Sequence, residues 1–184
     1  MTPTRRTSYV FRRLRENGPA VLVPAAWTVV AGTTTGIVSE YALFVAHLVM
    51  SVLLVGFVVA SWGEMSSGVL RAWKLVILAG TPATVAGVLG FLARDGTIAL
   101  PADALLAAAL YAWVLLPAAG FFYTARRVED TSLAYDVGWV CSLAGAVGVT
   151  LAVTPIEVVS ALAVVGAGQT MGIAAATMID GRST

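Results

Sequence analysis

Six stretches of about 20 residues, nearly free of charged side chains, run through this chain. A helix that crosses about 30 Å of hydrocarbon needs about 20 consecutive apolar residues, because a bilayer offers no water to unsatisfied backbone groups. A membrane β-barrel needs shorter segments that alternate apolar and polar residues, and the run 48–60 does not alternate. The chain is therefore predicted to be all-α, a polytopic integral membrane protein built as a bundle of six transmembrane helices.

Charged residues, Pro and Gly mark the boundaries of these stretches. A single transmembrane domain is predicted over 20–178, preceded by a basic segment, 1–19, and followed by a short tail, 179–184. The predicted spans are 20–38, 41–62, 72–92, 104–123, 133–153 and 156–178.

Composition excludes several classes of protein. Charged residues make up 11% of the chain, whereas a soluble domain has roughly 25%. The formal net charge is +1, so no overall field attracts nucleic acid. With one cysteine, Cys141, and one histidine, His47, the chain cannot build a His/Cys metal site or supply two axial haem ligands. No cofactor or metal is expected. The dominance of Arg over Lys in an Ala-, Val- and Gly-rich chain is typical of a GC-rich prokaryotic genome.

The basic residues predict the orientation. A cytoplasmic N-terminus leaves only Arg94 outside and puts the other ten Lys and Arg residues inside, in agreement with the positive-inside rule. With six spans, both termini are cytoplasmic, and the cell membrane is the expected location. Anionic lipid headgroups are the expected partner of the basic cytoplasmic face. The predicted inside residues are Arg5, Arg6, Arg12, Arg13, Arg15, Arg71, Lys74, Arg126, Arg127 and Arg182.

An alternative applies to the first span, because an Arg-rich start followed by an apolar run is also typical of a signal peptide. The apolar stretch 20–38 is longer than a typical signal-peptide core, and no clean A-x-A cleavage site follows it. We therefore expect this span to be retained as a membrane helix.

Small residues and prolines predict how the helices pack. Helices in lipid associate through close backbone approach, so small residues at four-residue spacing indicate a contact face. Gly168, Gly172 and Ala176 form such a face in the sixth span. Pro82 and Pro117 lie within the third and fourth spans, where each removes a backbone hydrogen bond, so both are candidate hinges.

Ionisable and polar groups inside a span are candidates for function, because they are costly to place there. His47 is the clearest of them, since it lies in the second span in the part predicted to be nearest the outer surface. It is expected either to exchange a proton in an outward-facing polar pocket or to hold two helices together by a hydrogen bond. The candidate pocket residues are His47, Glu40, Thr33, Thr34, Thr35, Thr150 and Gln169.

Three functions follow from these observations. The first is a small transport-class protein, either a permease or a solute-binding membrane subunit, that uses this pocket. The second is a non-catalytic accessory or structural subunit that packs against partner membrane proteins or against further copies of itself. A membrane-embedded enzyme is third, because the sequence has no G-x-S-x-G, H-E-x-x-H or P-loop and no catalytic residue is assigned.

Overall fold

A computed structural model describes residues 18, 21–63, 65–128 and 132–180. These residues form six α-helices and no strand, which confirms the prediction of an all-helical chain. The helices are α1 (Val21–Thr34), α2 (Glu40–Ser61), α3 (Gly68–Arg94), α4 (Ala102–Ala125), α5 (Ser132–Leu151) and α6 (Pro155–Asp180).

Five of these helices, α2 to α6, are long and apolar enough to cross a membrane. The described part of α1 is shorter, and its roughly 14 residues rise about 21 Å. Most of the predicted segment 1–19 and residues 181–184 lie outside the described residues. The basic residues that fall there are Arg5, Arg6, Arg12, Arg13, Arg15 and Arg182.

Side chains just before two helices set where those helices begin. The Ser39 hydroxyl accepts a hydrogen bond from the backbone N–H of Ala42 at 3.2 Å and caps α2. Before α6, the Glu157 carboxylate accepts from the backbone N–H of Thr154 at 3.0 Å, and the Thr154 hydroxyl accepts from the Glu157 N–H at 3.4 Å. Pro155, the first helical residue, lies between the two members of this reciprocal capping box, so the predicted break at 154–155 is set by local chemistry.

Two glycines with positive φ follow the ends of α1 and α3. Gly96 has φ 79°, and the N–H groups of Gly96 and Thr97 bond to the carbonyls of Ala93 and Leu92. This is a Schellman motif, which favours glycine because an added Cβ would strain the left-handed backbone. Gly36, with φ 75°, turns the chain after α1. The helix therefore ends at Thr34, before the predicted span boundary at 38.

Helix α4 lies at the centre of the bundle. It packs against α3 on one side and α5 on the other, and it has a smaller contact with α6, which packs mainly on α5. Among α3 to α6, α2 contacts α3 alone. Helix α1 joins the core through Trp27, which packs with Val114, Ala146, Leu162 and Val165.

The predicted small-residue face of α6 lies partly inside this bundle. A Cβ on Gly168 would overlap the Cys141 side chain of α5, and a Cβ on Gly172 would overlap the Phe121 ring of α4. Both glycines are buried, whereas Ala176 is exposed. The two glycines therefore allow contacts between helices of one chain.

The described charges separate between the two ends of the bundle. Consecutive helices of the series α2 to α6 pack on each other through short connections, so they run antiparallel and bring alternate helix ends together. We call the end with the α2–α3 and α4–α5 connections the basic end, and the opposite end the acidic end. The basic end carries Arg71, Lys74, Arg126, Arg127, Asp136 and Asp180, and the acidic end carries Arg94, Glu40, Asp95, Asp103 and Glu157.

Candidate functional site

Gln169 of α6 forms the centre of a buried polar network. Its side chain is 3% exposed. Its Oε1 accepts a hydrogen bond from the indole Nε1 of Trp27 at 3.0 Å, across 142 positions of the sequence. Its Nε2 donates to the backbone carbonyl of Trp113 at 3.1 Å and lies 3.4 Å from the Ser142 hydroxyl. One amide therefore connects α6 to α1, α4 and α5.

Pro117 explains why a carbonyl is available in the middle of α4. Proline has no N–H, so the carbonyl four residues earlier, that of Trp113, loses its helical donor. The Gln169 amide supplies the missing donor. Pro117 is buried in this contact region, whereas Pro82 of α3 is exposed, and both prolines lie inside continuous helices. The predicted hinge role of both prolines stays a prediction.

The Trp113 side chain extends the network to α3. Its indole Nε1 donates to the Thr84 hydroxyl at 2.9 Å, and that hydroxyl donates to the Gly80 carbonyl at 2.9 Å. A Cβ on Gly80 would lie 2.8 Å from the Trp113 ring, so glycine makes room for the indole. Hydrogen bonds therefore connect α1, α6, α4 and α3 in one series.

A second tryptophan repeats this arrangement with the two helices exchanged. Trp73 of α3 donates to the Thr124 hydroxyl of α4 at 3.1 Å, and that hydroxyl donates to the Gly120 carbonyl at 2.7 Å. The Trp73 ring lies against Gly120 and packs edge-on to Phe121 at 5.0 Å. We call the two contacts the Trp–Thr pairs. They fasten α3 and α4 to each other reciprocally.

Reasoning from residue types did not predict the Trp–Thr pairs, although a shared spacing marks both helices. Residues 73–84 and 113–124 each read W-x6-G-x3-T. Helix α5 has the same spacing with Ala146 in the glycine position. Its Thr150 hydroxyl donates to the Ala146 carbonyl at 2.8 Å. The same hydroxyl lies 2.7 Å from the Tyr111 hydroxyl of α4, and because its proton is already used, Tyr111 is the donor to Thr150.

His47 lies in the contact between α2 and α3 and is half-buried. Its Nδ1 is 2.9 Å from the Leu43 carbonyl of its own helix, so this nitrogen carries a proton. The ring packs edge-on to Phe91 of α3 at 5.4 Å, and a Cβ on Gly87 would overlap it. The histidine therefore fills a notch in α3 that a glycine leaves open.

The other candidate pocket residues lie at separate places. Glu40 pairs with Arg94 at 3.1 Å. The hydroxyls of Thr33, Thr34 and Thr35 donate to carbonyls of α1 itself. Within the described part of the chain, no hydrogen bond joins His47 to Glu40, to these threonines, to Thr150 or to Gln169. The outward-facing pocket stays a prediction.

Two open grooves lie on the surface of the bundle. One, of about 350 Å³, lies at the basic end and is lined by Arg126, Arg127 and Ser132, with Ala125 and Val128. The other, of about 520 Å³, runs between α5 and α6 and has mainly small and apolar residues along it, from Ala144 to Val164. His47 lines neither groove.

Comparison with protein-family models, with curated proteins and with solved structures finds no match for this chain. The described residues contain no group of three or more His, Cys, Asp or Glu side chains that could hold a metal ion.

Proposed function

We propose that the protein crosses the membrane six times with both termini on the cytoplasmic side of a cell membrane. The separation of charge between the basic and acidic ends supports this orientation, since Arg and Lys favour the cytoplasmic side. The core contacts of Trp27 and its hydrogen bond to Gln169 support α1 as a retained sixth span, because a cleaved signal peptide makes no such contacts.

The function we propose for this bundle is that of a non-catalytic accessory subunit that associates with a partner membrane protein. The observation that carries this proposal is the closed polar centre of the bundle. Gln169 bonds to three other helices, so the central amide is used for holding helices together. A solute site would instead need polar groups that face a cavity.

Helix α2 offers the surface for such a partner. Only 6% of its most apolar 18 residues are buried, against 33% in α4. Val52 and Val59 are 73% and 72% exposed, and further apolar side chains surround them. The members of this exposed face are Val45, Leu48, Val49, Val52, Leu53, Val55 and Val59.

A photo-crosslinking amino acid at position 52, introduced in native membranes, tests this proposal. The matched control is position 147 of α5, where Val147 is 58% exposed on a helix that already has two neighbours. We expect a discrete protein adduct from position 52 and lipid adducts from position 147. Lipid adducts alone from both positions would contradict the proposal.

A small permease is the second candidate function, on the observation that His47 is half-buried between α2 and α3. In this role the imidazole would exchange protons with water that enters from the acidic end. Proton flux into vesicles that hold the purified protein, and its loss in His47→Ala, test this candidate. An equal flux in protein-free vesicles would remove it.

A further inference from the structure

Aromatic rings lie against three of the cations of the basic end. The guanidinium of Arg126 lies over the Phe122 ring at 4.3 Å, and that of Arg127 lies over the Tyr123 ring at 4.2 Å. Across the same end, the ammonium of Lys74 lies 4.6 Å from the Trp62 ring centre. A ring attracts a cation through its quadrupole but does not neutralise it. The rings therefore position the three positive charges without neutralising them.

At the acidic end, by contrast, the cation Arg94 is paired with carboxylates. Arg94 bonds to carboxylates on both sides, to Glu40 and to Asp103, each at 3.1 Å. At the basic end, no carboxylate among the described residues lies within ion-pair distance of Arg126, Arg127 or Lys74. Asp136, an acid of the basic end, accepts instead from the Trp139 indole at 2.9 Å. Among the described residues these cations therefore have no carboxylate partner, and an anion from outside the chain can bind to them.

A groove lies where this charge is densest. Both Arg126 and Arg127 line it, together with Ser132 of α5, and its volume of about 350 Å³ is near the lower limit for small-molecule sites. Arginine binds phosphate oxygens through two parallel N–H bonds, and a serine hydroxyl can donate a third bond. The groove is open on one side, as a headgroup attached to a lipid requires.

We infer that this groove binds the phosphate of an anionic phospholipid from the cytoplasmic leaflet, with Arg126 and Arg127 as the ligands and Ser132 as a further donor. The inference rests on the membrane insertion proposed above but not on the accessory role. The rings beneath the two guanidiniums keep both at the depth of the headgroups, where anionic lipids attract each basic residue.

Titration of the purified protein in a neutral detergent with short-chain phosphatidylglycerol, read by native mass spectrometry, tests this site. We expect Arg126→Gln combined with Arg127→Gln to weaken binding about 30-fold, the factor for two charges near a membrane surface. The matched control, Arg94→Gln, removes a cation from the acidic end and should leave binding within about twofold, because that cation is already paired. The double lysine variant should retain most of the binding, since it keeps both charges.

Three outcomes would overturn the site: equal binding of phosphatidylglycerol by the wild type and the double glutamine variant, equal loss in Arg94→Gln, or equal affinity for phosphatidylcholine. Inorganic phosphate that binds as tightly as the lipid would assign the groove to a soluble phosphate compound and overturn the lipid assignment. The melting temperature of each variant shows that the protein titrated is folded. No partner protein is present, so the result is independent of the crosslinking test at position 52.

Discussion

Helices α2 and α4 are similar in length and in apolar character, yet they occupy opposite positions in the bundle. Among α2 to α6, helix α4 contacts three neighbours, whereas α2 contacts α3 alone. The difference follows from a few small and polar residues. Helix α4 contains Trp113, Gly120 and Thr124, each of which meets another helix, and α2 contains His47 and the unopposed Gly56. In a bilayer, apolar side chains gain little by leaving lipid for a neighbouring helix. The small and polar residues therefore decide which helices pack together.

The largest expected effect comes from a glycine that meets α4. Gly172→Leu would place a side chain in the Phe121 ring, and we expect a loss of about 2 kcal/mol of stability from overpacking. The same change at Gly56 of α2, which has no neighbouring atom within 4 Å, should alter stability by less than about 0.5 kcal/mol. Unfolding in a graded mixture of detergents measures both. Equal losses at the two positions would remove the contrast between the helices.

An intermediate effect is expected at the polar centre. Gln169→Leu leaves the Trp27 indole N–H and the Trp113 carbonyl buried without partners, which should cost about 1–2 kcal/mol. Tryptophan fluorescence during thermal unfolding provides the measurement. Ser160→Ala is the control on the same helix, because this exposed hydroxyl bonds only to its own helix at Ile156. A Gln169→Leu protein as stable as this control would show that the network holds no helices together.

The smallest effects are expected at the Trp–Thr pairs. Thr84→Val and Thr124→Val each remove a hydroxyl that accepts from an indole and should each cost about 0.6 kcal/mol, with the double variant close to the sum. Ser51→Ala in α2 is the control, since its hydroxyl bonds to its own helix at His47. If both Trp–Thr pairs hold α3 and α4 together, both single variants are less stable to unfolding than Ser51→Ala. A loss in one but not the other would show that the two contacts are not equivalent.

Much of the fold could be predicted from residues near one another in sequence. Length, hydropathy and charge predict helices and their number, since each helix satisfies its own backbone. The break at 154–155 is also local, because Thr154 and Glu157 cap α6 across three residues. The described part of α1 ends at Thr34, before the predicted span boundary at 38, and hydropathy does not detect the turn that Gly36 makes there.

The candidate site could be predicted only in its residue types. Gln169 is a buried amide, and the cost of burying it in lipid indicates that it has a hydrogen-bond partner. The sequence does not show that this partner is Trp27, 142 positions away. Pro117 indicates a freed carbonyl in α4 without showing which helix supplies the donor. The pocket of His47 with Glu40 and several threonines stays a prediction, and the described contacts of the His47 ring are with Leu43, Phe91 and Gly87. Which helices become neighbours depends on the fit of whole surfaces.

The sequence by itself determined an all-helical chain whose Lys and Arg residues collect mainly at one end of the helices. Hydropathy and charge along each segment are enough for this, because insertion into lipid depends on them. The tertiary structure decided which helix is central and which polar groups meet. In lipid the apolar faces of α2 and α4 are equally well solvated, so hydropathy does not distinguish a buried helix from a peripheral one. The distinction comes from close contacts at Gly80, Gly120 and Gly172 and from the hydrogen bonds that those contacts allow.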